Sequence, residues 1–555
     1  MADRQRLTDL LASIDGRSYP AYRDLRGAWE LGEVTLKVDH VQGDPFASPS
    51  RLRVLTQTGL PGLEDQDTRE ATEDWLLRRL GRSIQSTRRG SGKSGHIGLY
   101  RPGPEVIRRG AIQLFSDGGV DIRLGVGLPA RGRRVLGREA RALLIEDLTD
   151  IASLTRVAAL DDAARDELAT WVRSVKHQRG LRRALRDRGL AAFIADESIL
   201  PRASGVDQRP MRDAVPFKSP DAYRVTIDTP DGSSTGMGIP RGVTLIVGGG
   251  FHGKSTVLDA IQRGHLDHIP GDGRECVVAD PDTVKIRAED GRRVHNVNIR
   301  TFLGDLPGGR STHSFCTDDA SGSTSQAAAI VEAVEAGAKV LLLDEDTCAT
   351  NLLVRDERMR ALIHRDREPI TPLVERIREI ATVWNVSVIL VIGGVGDFLS
   401  VADHVIAMDA FDCHDVTTRA HQIAGEPPSA PTPLPMTDAR VILRDGLAPG
   451  KIRARDDRAV QYGQAEVVLT AVEQVLDSAH AYSIGQALRF LHDELVDDKR
   501  TLHQLLQALE AILSDEGVEA LSPRSYPDGG LVHPRRHEVA AALNRLRTLR
   551  TRPLA

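Results

Sequence analysis

The chain has 555 residues, of which 41% are hydrophobic and 27% are charged, with a formal net charge of −5. This length predicts several domains, and the composition excludes a largely disordered chain. The longest apolar runs are shorter than the roughly 18 residues of a membrane span, and the charged first residues are unlike a signal peptide. The four cysteines form no CxxC pair, which is typical of reduced thiols in a cytoplasmic protein and argues against zinc.

Residues 1–200 are predicted to form an N-terminal α/β domain with a basic surface. Hydrophobic and polar residues alternate in EVTLKVDHV (33–41) and SRLRVL (50–55), which predicts strands, whereas 69–80 and 161–190 have helical spacing. The region contains 33 Lys and Arg against 28 Asp and Glu, a difference of +5, so the rest of the chain carries −10. This asymmetry indicates a polyanionic partner.

The letters GKS occur first at 92–94, in the stretch RRGSGKSGHIGLYRPG. Thr87 stands where a phosphate loop needs glycine, no buried strand precedes it, and the following glycines and proline prevent a helix. We therefore predict a basic loop here. A second basic segment contains Arg131 and Arg133, and basic residues also form a stripe along 161–190. The charges of these three segments are either solvated or in contact with nucleic-acid phosphates. The nucleic-acid candidates are Arg88, Arg89, Lys93, Arg131 and Arg133.

The second GKS, at 253–255, lies in a complete phosphate-loop pattern. A turn-rich connector over 198–240 is followed by the strand pattern GVTLIV (242–247), then by the loop and by a helix pattern. Backbone N–H groups of such a loop surround phosphates, the lysine reaches the outer phosphates, and the hydroxyl binds magnesium. The predicted ATP-binding residues are Gly248, Gly249, Gly250, Phe251, His252, Gly253, Lys254, Ser255 and Thr256, with Ser255 also as a magnesium ligand.

A hydrophobic strand that ends in acidic residues, AKVLLLDED (338–346), supplies the partner that a phosphate loop requires. We predict that Asp344 holds Mg²⁺ through water and that Glu345 polarises the attacking water, with Lys254 as the second catalytic residue. Between the two motifs, Asp318 or Ser321 can cap a helix. Ser321, Gly322 and Ser323 then occupy the position of an ABC-type signature, which binds the γ-phosphate held by an opposite subunit.

The chain resembles the family of predicted ABC-class ATPases, which are stand-alone proteins unlike transporter subunits. The similarity extends from the first fifty residues to the last twenty. The stretches that carry it are VDHVQGDPFASPSRLRV (38–54), GLPARGR (127–133), ADESILPRASG (195–205), IPRGVTLIVGGGFHGKST (239–256), IPGDGRE (269–275), ASGSTSQAA (320–328), LLLDEDTCATNLLVRD (341–356), EPITPL (368–373), LVIGGVGD (390–397) and PRRHEVAAALNRLR (534–547).

This resemblance implies an α/β fold with an ABC-type P-loop NTPase in the centre, an N-terminal α/β domain and a mostly helical C-terminal region. By matching positions it assigns Walker A to 248–256, the signature to 321–326 and the D-loop to CATN (348–351). ABC cores generally dimerise head to tail around ATP, so a homodimer is implied, and members of the family have been linked to RNA. We place the domain boundaries at 1–200, 201–424, 425–463 (a linker) and 464–555.

The C-terminal region has helical hydrophobic spacing from residue 464 and a basic end. That end is either a second anionic contact or an exposed last helix. Its basic residues are Arg535, Arg536, Arg545, Arg547, Arg550 and Arg552.

Two departures from the wider ABC pattern affect the expected activity. Gly393 and Gly394 stand where a switch histidine is expected, and His404 is misplaced for that role. No clear Q-loop glutamine precedes Ser321, although Asn296 and Asn298 are stand-in candidates. Three hypotheses follow: an ATP-driven enzyme that acts on nucleic acid, with RNA favoured; a nucleotide-gated binding protein with little turnover; and, least supported, a transporter ATPase.

Overall fold

The computed structural model of the chain describes residues 2–84, 91–304, 306, 309, 311–356, 358, 362, 368–428, 433–435 and 437–554. It divides into two units, the first made of Met1–Lys176 and Gly517–His533 and the second of His177–Glu516 and Pro534–Ala555. Within the described ranges, no helix is long and apolar enough to cross a membrane.

The first unit is an antiparallel sheet with helices. Its strands are β1 (Gly27–Glu30), β2 (Thr35–His40), β3 (Ser50–Gln57), β4 (Ile97–Gly98), β5 (Glu105–Val106), β6 (Ile112–Leu114), β7 (Gly119–Val126), β8 (Ala130–Arg131) and β9 (Arg134–Val135). Its helices are α1 (Ala2–Ser13), α2 (Gln66–Ser83), α3 (Gly137–Arg141), α4 (Leu148–Ser153) and the first part of α5 (Asp162–Asp187).

The main sheet of the first unit has the order β1-β2-β3-β7-β4, and β6 also pairs with β7. Buried and less buried residues alternate along β2 and β3, as expected for strands with one core face. Leu36, Val54 and Ile122 lie on that face, and Trp75 of α2 is fully buried, in accord with its predicted inward orientation. The strands predicted at 33–41 and 50–55 are therefore confirmed.

The second unit contains the remaining elements. Its strands are β10 (Leu190–Ala195), β11 (Arg202–Ser204), β12 (Asp207–Pro210), β13 (Arg224–Thr229), β14 (Gly232–Pro240), β15 (Val243–Val247), β16 (Asp267–His268), β17 (Val277–Ala279), β18 (Thr283–Ile286), β19 (Arg292–Val297), β20 (Phe315–Ala320), β21 (Val340–Asp344), β22 (Ser387–Ile392), β23 (His404–Asp409), β24 (Asp412–Asp415), β25 (Arg440–Ile442), β26 (Ile452–Ala454), β27 (Ala459–Tyr462), β28 (Ala465–Val468) and β29 (Thr551–Pro553). Its helices after α5 are α6 (Lys254–Arg263), α7 (Gly322–Glu335), α8 (Thr350–Leu353), α9 (Ile377–Thr382), α10 (Thr417–Ile423), α11 (Ser478–Phe490), α12 (Leu502–Asp515) and α13 (Arg536–Arg545).

The central sheet of this unit has the order β18-β21-β22-β15-β23-β24, and its first five strands are parallel. Both faces are covered, so its strands are nearly continuous hydrophobic runs. In β22, Val388 and Leu390 join the core that contains residues of α7, whereas Ile389 and Val391 join the core that contains residues of α6. A second, antiparallel sheet, β13-β14-β10-β17, contributes to the core on the α6 side.

The C-terminal part of the second unit combines helices α11 to α13 with the three-stranded sheet β26-β27-β28. Residues 425–463, predicted as a linker, include β25, β26 and β27. The predicted fold class is confirmed: a mixed α/β protein with a central P-loop domain, an N-terminal α/β domain and helices in the C-terminal region.

Many of the basic side chains considered as anion contacts have partners inside the second unit. Arg179 and Arg182 of α5 bind Asp267 at 2.7 and 2.8 Å. Burial would raise the pKa of Asp267, but these two guanidinium groups outweigh it and hold the pKa below its ordinary value. The basic C-terminal end is likewise engaged through Arg535–Glu538, Arg536–Asp282, Arg545–Glu289, Arg547 to the carbonyl of Asp318, Arg550–Asp445 and Arg552 to the carbonyl of Asp498.

Candidate nucleotide site

The predicted phosphate loop follows β15 in the middle of the parallel sheet. Val247 at the end of β15 pairs in register with Ile392 at the end of β22, and Asp344 at the end of β21 pairs with Val391. The segments after these three strands therefore emerge at one edge of the sheet, where ligands of open α/β sheets bind. The loop (248–253), Glu345 and the Gly393–Gly394 pair are brought to this edge by strands that are distant in sequence.

Two glycines of the loop are required by the backbone. Gly248 has φ +147° and a Cβ there would lie 2.3 Å from the carbonyl oxygen of Met408; Gly253 has φ +96°. Gly253 is the N-cap of α6, and no side chain caps that end of the helix. The first amide groups of α6 are thus left for an anion, which the helix dipole also favours. Gly250 has open space at its Cβ position.

Lys254 and Glu345 converge from opposite sides of this edge. Lys254 Nζ donates to the carbonyl oxygens of Gly248 and Gly249 at 2.8 and 2.6 Å. Glu345 Oε2 accepts hydrogen bonds from the backbone N–H groups of Gly393 (2.6 Å) and Gly394 (3.0 Å). A Cβ on Gly393 would lie 3.9 Å from Glu345 Oε2 and 4.0 Å from Lys254 Nζ, so the two side chains flank the same glycine.

The predicted magnesium residues occupy the ends of their elements. Ser255 is exposed in the first turn of α6. Asp344 is the last residue of β21 and is 7% exposed. Asp344 Oδ1 accepts from the N–H of Asp346 at 3.2 Å. A hydroxyl and a carboxylate are oxygen ligands of the type Mg²⁺ takes alongside phosphates and water, so this pair fits the ion.

The predicted signature lies at the start of α7. Ser321 is the N-cap, but its side chain makes no capping hydrogen bond; its hydroxyl is 3.1 Å from that of Thr324. Asp318, the alternative cap, lies within β20. Ser323 Oγ donates to Asn351 Oδ1 at 2.6 Å, so the signature helix is bonded to the predicted D-loop.

A second bond joins the same two segments. Gln326 Oε1 accepts from the N–H of Ala349 at 2.7 Å. Next to it, burial raises the pKa of the Cys348 thiol to about 12, which keeps that side chain neutral at physiological pH. Gly322 lies directly at the helix start, where a Cβ would be 3.6 Å from Ala349 Cβ. The start of α7 and the D-loop thus form one connected surface.

The residues considered as stand-ins for missing ABC elements are engaged elsewhere. His404 is the first residue of β23, at the opposite end of the strand from the site, and lies 3.3 Å from the Tyr223 hydroxyl. Asn296 Nδ2 donates to the carbonyl of Thr551 at 2.6 Å, and Asn298 Nδ2 donates to Asp438 at 2.7 Å. Their amides therefore serve contacts with the C-terminal part of the chain.

A cavity of about 230 Å³ beside the phosphate loop was not foreseen from the sequence. It is largely apolar and is lined by Gly253 and Thr256 together with residues of two other segments. These other lining residues are Leu200, Pro201, Met211, Asp213, Ala214, Val215, Phe217, Val257, Met408 and Phe411. Because Gly253 of the loop itself forms part of the wall, the cavity adjoins the phosphate loop.

Three large apolar side chains of this cavity are exposed: Met211 by 45%, Val215 by 51% and Phe411 by 51%. Phe411 belongs to the two-residue turn between β23 and β24, and both turn residues have positive φ, 49° for Ala410 and 75° for Phe411. Turns of this kind normally contain Asn and Gly, because side chains are strained there. Phe411 thus has a strained backbone and a half-exposed ring at the cavity. Packing alone does not require this combination.

The turn is joined to the phosphate loop. His252 Nδ1 accepts from the N–H of Ala410 at 3.0 Å and lies 3.2 Å from Asp409 Oδ1. A Cβ on Gly253 would lie 3.1 Å from Phe411 Cδ1. Phe251, in contrast, has φ 64° and a fully exposed side chain. Of these two predicted ATP-binding residues, His252 therefore contacts the turn, whereas Phe251 is exposed.

The nucleic-acid candidates lie in the first unit. Arg88 and Arg89 fall outside the described residues. From residue 91 the first GKS stretch is a turn followed by β4, without a helix, as expected for a loop. This turn is bonded to the β8–β9 hairpin, with Ser91 N donating to the carbonyl of Ala130 at 2.8 Å. Lys93, Arg131 and Arg133 are all exposed on these two segments.

Comparisons with known proteins cover most of the chain. The family model of the N-terminal part of ABC-class ATPases matches residues 4–158, and that of the ABC ATPase P-loop domain matches 164–440. A model described as the MRB1590 C-terminal domain matches 451–552. The uncharacterized protein MJ1628 of Methanocaldococcus jannaschii is 32% identical over 199 residues, which are 34% of this chain and 44% of that protein, so the match spans less than half of the relative. With its phosphate loop and acidic strand at one edge of a parallel sheet, the chain belongs to the ABC-class ATPase family.

Proposed function

We propose that the protein binds ATP with Mg²⁺ and hydrolyses it at the edge formed by β15, β21 and β22. The observation that carries this proposal is the placement of Glu345, whose carboxylate is held by two backbone N–H groups and flanks Gly393 together with Lys254. A carboxylate fixed in this way is oriented before substrate arrives, which general-base catalysis requires. An acidic side chain with only a structural role would not need to face the phosphate lysine.

The phosphates would be held by the N–H groups of the loop and of the first turn of α6, with Lys254 turning from Gly248 and Gly249 to the outer phosphates. Ser255 and Asp344 would hold Mg²⁺, directly and through water respectively. When bound, Mg²⁺ neutralises charge on the outer phosphates and favours the transfer of the terminal phosphoryl group. The nucleobase would occupy the apolar cavity beside Phe411.

Glu345 would act on the attacking water through one oxygen. Both backbone N–H groups bond to Oε2, so among the described residues Oε1 is the oxygen left to accept the proton of a water. Two donors on one oxygen fix the plane of the carboxylate and restrict its rotation. The backbone N–H groups of Gly393 and Gly394 would therefore position Glu345, at the place where a switch histidine was expected.

A head-to-tail homodimer is the proposed active form. Ser321 has a hydroxyl that does not cap its own helix and an exposed position at the uncapped start of α7. These groups could bind the terminal phosphate held by a second copy, as the ABC resemblance implies. The bonds Ser323–Asn351 and Gln326–Ala349 would transmit closure of the dimer to the segment that follows Glu345.

Single-stranded RNA is the proposed partner of the first unit. Exposed Lys93, Arg131 and Arg133 lie on two adjoining segments and support contact with a phosphate backbone. A nucleotide-gated binding protein with little turnover is the second candidate, because Gly393 and Gly394 supply no ionisable group where a histidine would sense the terminal phosphate.

The test is ATP turnover of the purified protein with and without RNA, single-stranded DNA and duplex DNA. Stimulation by RNA supports the proposal, whereas ATP-dependent RNA affinity with negligible turnover favours the second candidate. In parallel, Glu345→Gln keeps the hydrogen bonds to the glycine N–H groups but removes the base. We expect this variant to accumulate as an ATP-bound dimer in light scattering; an unchanged monomer–dimer ratio would contradict the head-to-tail arrangement.

A further inference from the structure

The first unit contains a cleft of about 280 Å³ over its sheet, lined by both apolar and charged residues. Its lining includes Arg51 of β3, Gly125 of β7, Gly98 of β4, and Tyr100 and His96 next to β4. None of these residues is one of the five nucleic-acid candidates, although His96, Gly98 and Tyr100 lie in the same stretch, 88–103, as three of them. A cavity of this size is large enough for part of an organic ligand rather than a few water molecules.

The floor of the cleft is a row of residues that pair across four neighbouring strands. His40 pairs with Arg51, Arg51 with Gly125, and Gly125 with Gly98. Two adjacent glycines leave the sheet backbone uncovered, which allows a flat group to approach it closely. Packing does not demand glycine at 125, because a Cβ there would make ordinary contacts, 3.6 Å to Pro49 Cβ and 3.8 Å to the carbonyl of Gly98.

The cleft is electropositive around Arg51. Arg53, also on its lining, is neutralised by Asp39 at 2.8 Å, but no carboxylate of the described residues lies within ion-pair distance of Arg51. The pKa of His40, the cross-strand partner of Arg51, reflects these surroundings. Burial first, and then the positive charges of Arg26, Arg524 and Arg51, lower the pKa of His40. The lowered pKa keeps the imidazole neutral at physiological pH, so His40 adds no charge beside Arg51, the guanidinium that lines the cleft.

Tyr100 supplies an aromatic ring to the lining of the cleft. The ring of Tyr100 has the guanidinium of Arg109 4.6 Å from its centroid. Arg109 is only 5% exposed, so it is a fixed support that holds the ring in place. A supported ring beside an uncovered glycine floor is suited to stack with a planar base, and a nearby cation is suited to its phosphate.

We propose that this cleft binds one unpaired nucleotide of single-stranded RNA, with the base against Tyr100 and the glycine floor and the phosphate towards Arg51. A concave cleft admits a base that is turned out of a strand, but not one that is paired in a duplex. This inference rests on the proposed association of the first unit with RNA and names its site. A free nucleotide shares the same chemistry and is distinguished by the test.

The test measures binding of a fluorescently labelled, unstructured RNA of about 12 nucleotides, a length within the site sizes of single-strand binders, by anisotropy at several salt concentrations. Gly125→Leu fills the floor without requiring a positive φ. We expect it to weaken binding about tenfold, the loss of one stacked base, with an unchanged salt slope. Arg51→Ala should weaken binding and reduce the salt slope by about one, because one phosphate contact is lost.

Arg4→Ala is the matched control, since Arg4 is an exposed arginine of the first unit on α1 and lies outside the segments considered as nucleic-acid contacts. It should change the affinity much less than Arg51→Ala does. Gly125→Ala and the thermal midpoint of each variant show whether the sheet still folds, and basal ATP turnover should not change in any variant.

The outcomes separate the two proposals. If wild-type protein binds no RNA, both the RNA partner and this site are wrong. If the wild type binds RNA and folded Gly125→Leu and Arg51→Ala bind equally well, only the cleft assignment is wrong. If uridine or adenosine monophosphate binds as tightly as the oligonucleotide and displaces it, the ligand is a free nucleotide, and the assignment to RNA is overturned.

Discussion

Replacement of Phe411 by glycine separates the cost of the β23–β24 turn from the function proposed for its side chain. Phe411 has φ 75° in a two-residue turn whose other residue, Ala410, also has positive φ. Glycine adopts this conformation without steric cost, whereas a residue with a Cβ is strained by about 1–2 kcal/mol. The substitution therefore relieves strain and removes the ring that lines the cavity next to Gly253.

The effects on stability and on binding should differ in size. Phe411 is 51% exposed, so loss of its buried half costs about 1 kcal/mol, which roughly offsets the strain that is relieved. The free energy of unfolding should change little. Stacking of one base on an aromatic ring is worth about 1–3 kcal/mol, so the Kd for ATP should rise about 5- to 150-fold.

Calorimetric titration with ATP and, separately, with inorganic tripolyphosphate provides the assay. Tripolyphosphate has no base, so its affinity should be the same for wild type and Phe411→Gly. Ile423→Ala is a matched control, because Ile423 is another exposed apolar residue of the second unit, 67% exposed on α10, and does not line the cavity. It should bind both ligands as the wild type does.

Three results would refute parts of the reasoning. Unchanged ATP affinity in Phe411→Gly would mean that the base does not occupy this cavity. An equal loss of affinity for ATP and tripolyphosphate would mean that the turn acts through the phosphate loop, to which it is bonded by His252 and the N–H of Ala410. A large fall in the thermal midpoint of the nucleotide-free variant would show that the ring, despite its strained backbone, is needed for folding.

Three further predictions concern individual side chains. Lys254→Ala should abolish ATP binding in the same titration, because the phosphates lose the cation that extends from the loop; retained binding would contradict its role. Gly394→Pro removes one N–H donor to Glu345 and should lower kcat with little change in the Kd for ATP, as single-turnover and binding measurements can show. Burial raises the pKa of Glu73 to about 8, although the carboxylate accepts a hydrogen bond from the N–H of Leu114. The folded state then keeps a proton that the unfolded state loses above about 4.5, so the stability of the first unit should fall as pH rises from 4.5 to 8. Glu73→Gln should flatten that dependence in denaturant titrations, and an unaltered slope would show that Glu73 is ionised in the folded protein.

The sequence by itself identified those parts of the protein whose chemistry is local. A phosphate loop is a short run of glycines, lysine and hydroxyl between a strand and a helix, and 248–256 contains all of them in order. The acidic strand and the start of α7 were equally visible, because hydrophobic runs and helix starts depend on neighbouring residues. The family follows from these motifs and from long matching strings.

Contacts between distant segments were decided only by the tertiary structure. Glu345 and Gly393 are nearly fifty residues apart, and they meet because β21 and β22 are adjacent parallel strands that end at the same edge. The same holds for the cavity beside Gly253, whose walls also come from the segments before β11 and after β12 and from β23 with the β23–β24 turn. None of these segments has a local pattern that points to a nucleotide.

Charge was the property that the sequence described least well. Arg179 and Arg182 belong to a basic helical stripe in the sequence, yet in the fold both bind Asp267, a residue more than eighty positions away. In the sequence, Arg51 is one basic residue of a strand, and no pattern distinguishes it. In the fold it lies beside Gly125 and His40, without a carboxylate partner among the described residues. Composition counts charges, but only the fold decides which of them are paired, because ion pairing depends on distances of a few ångströms between residues that the chain order does not relate.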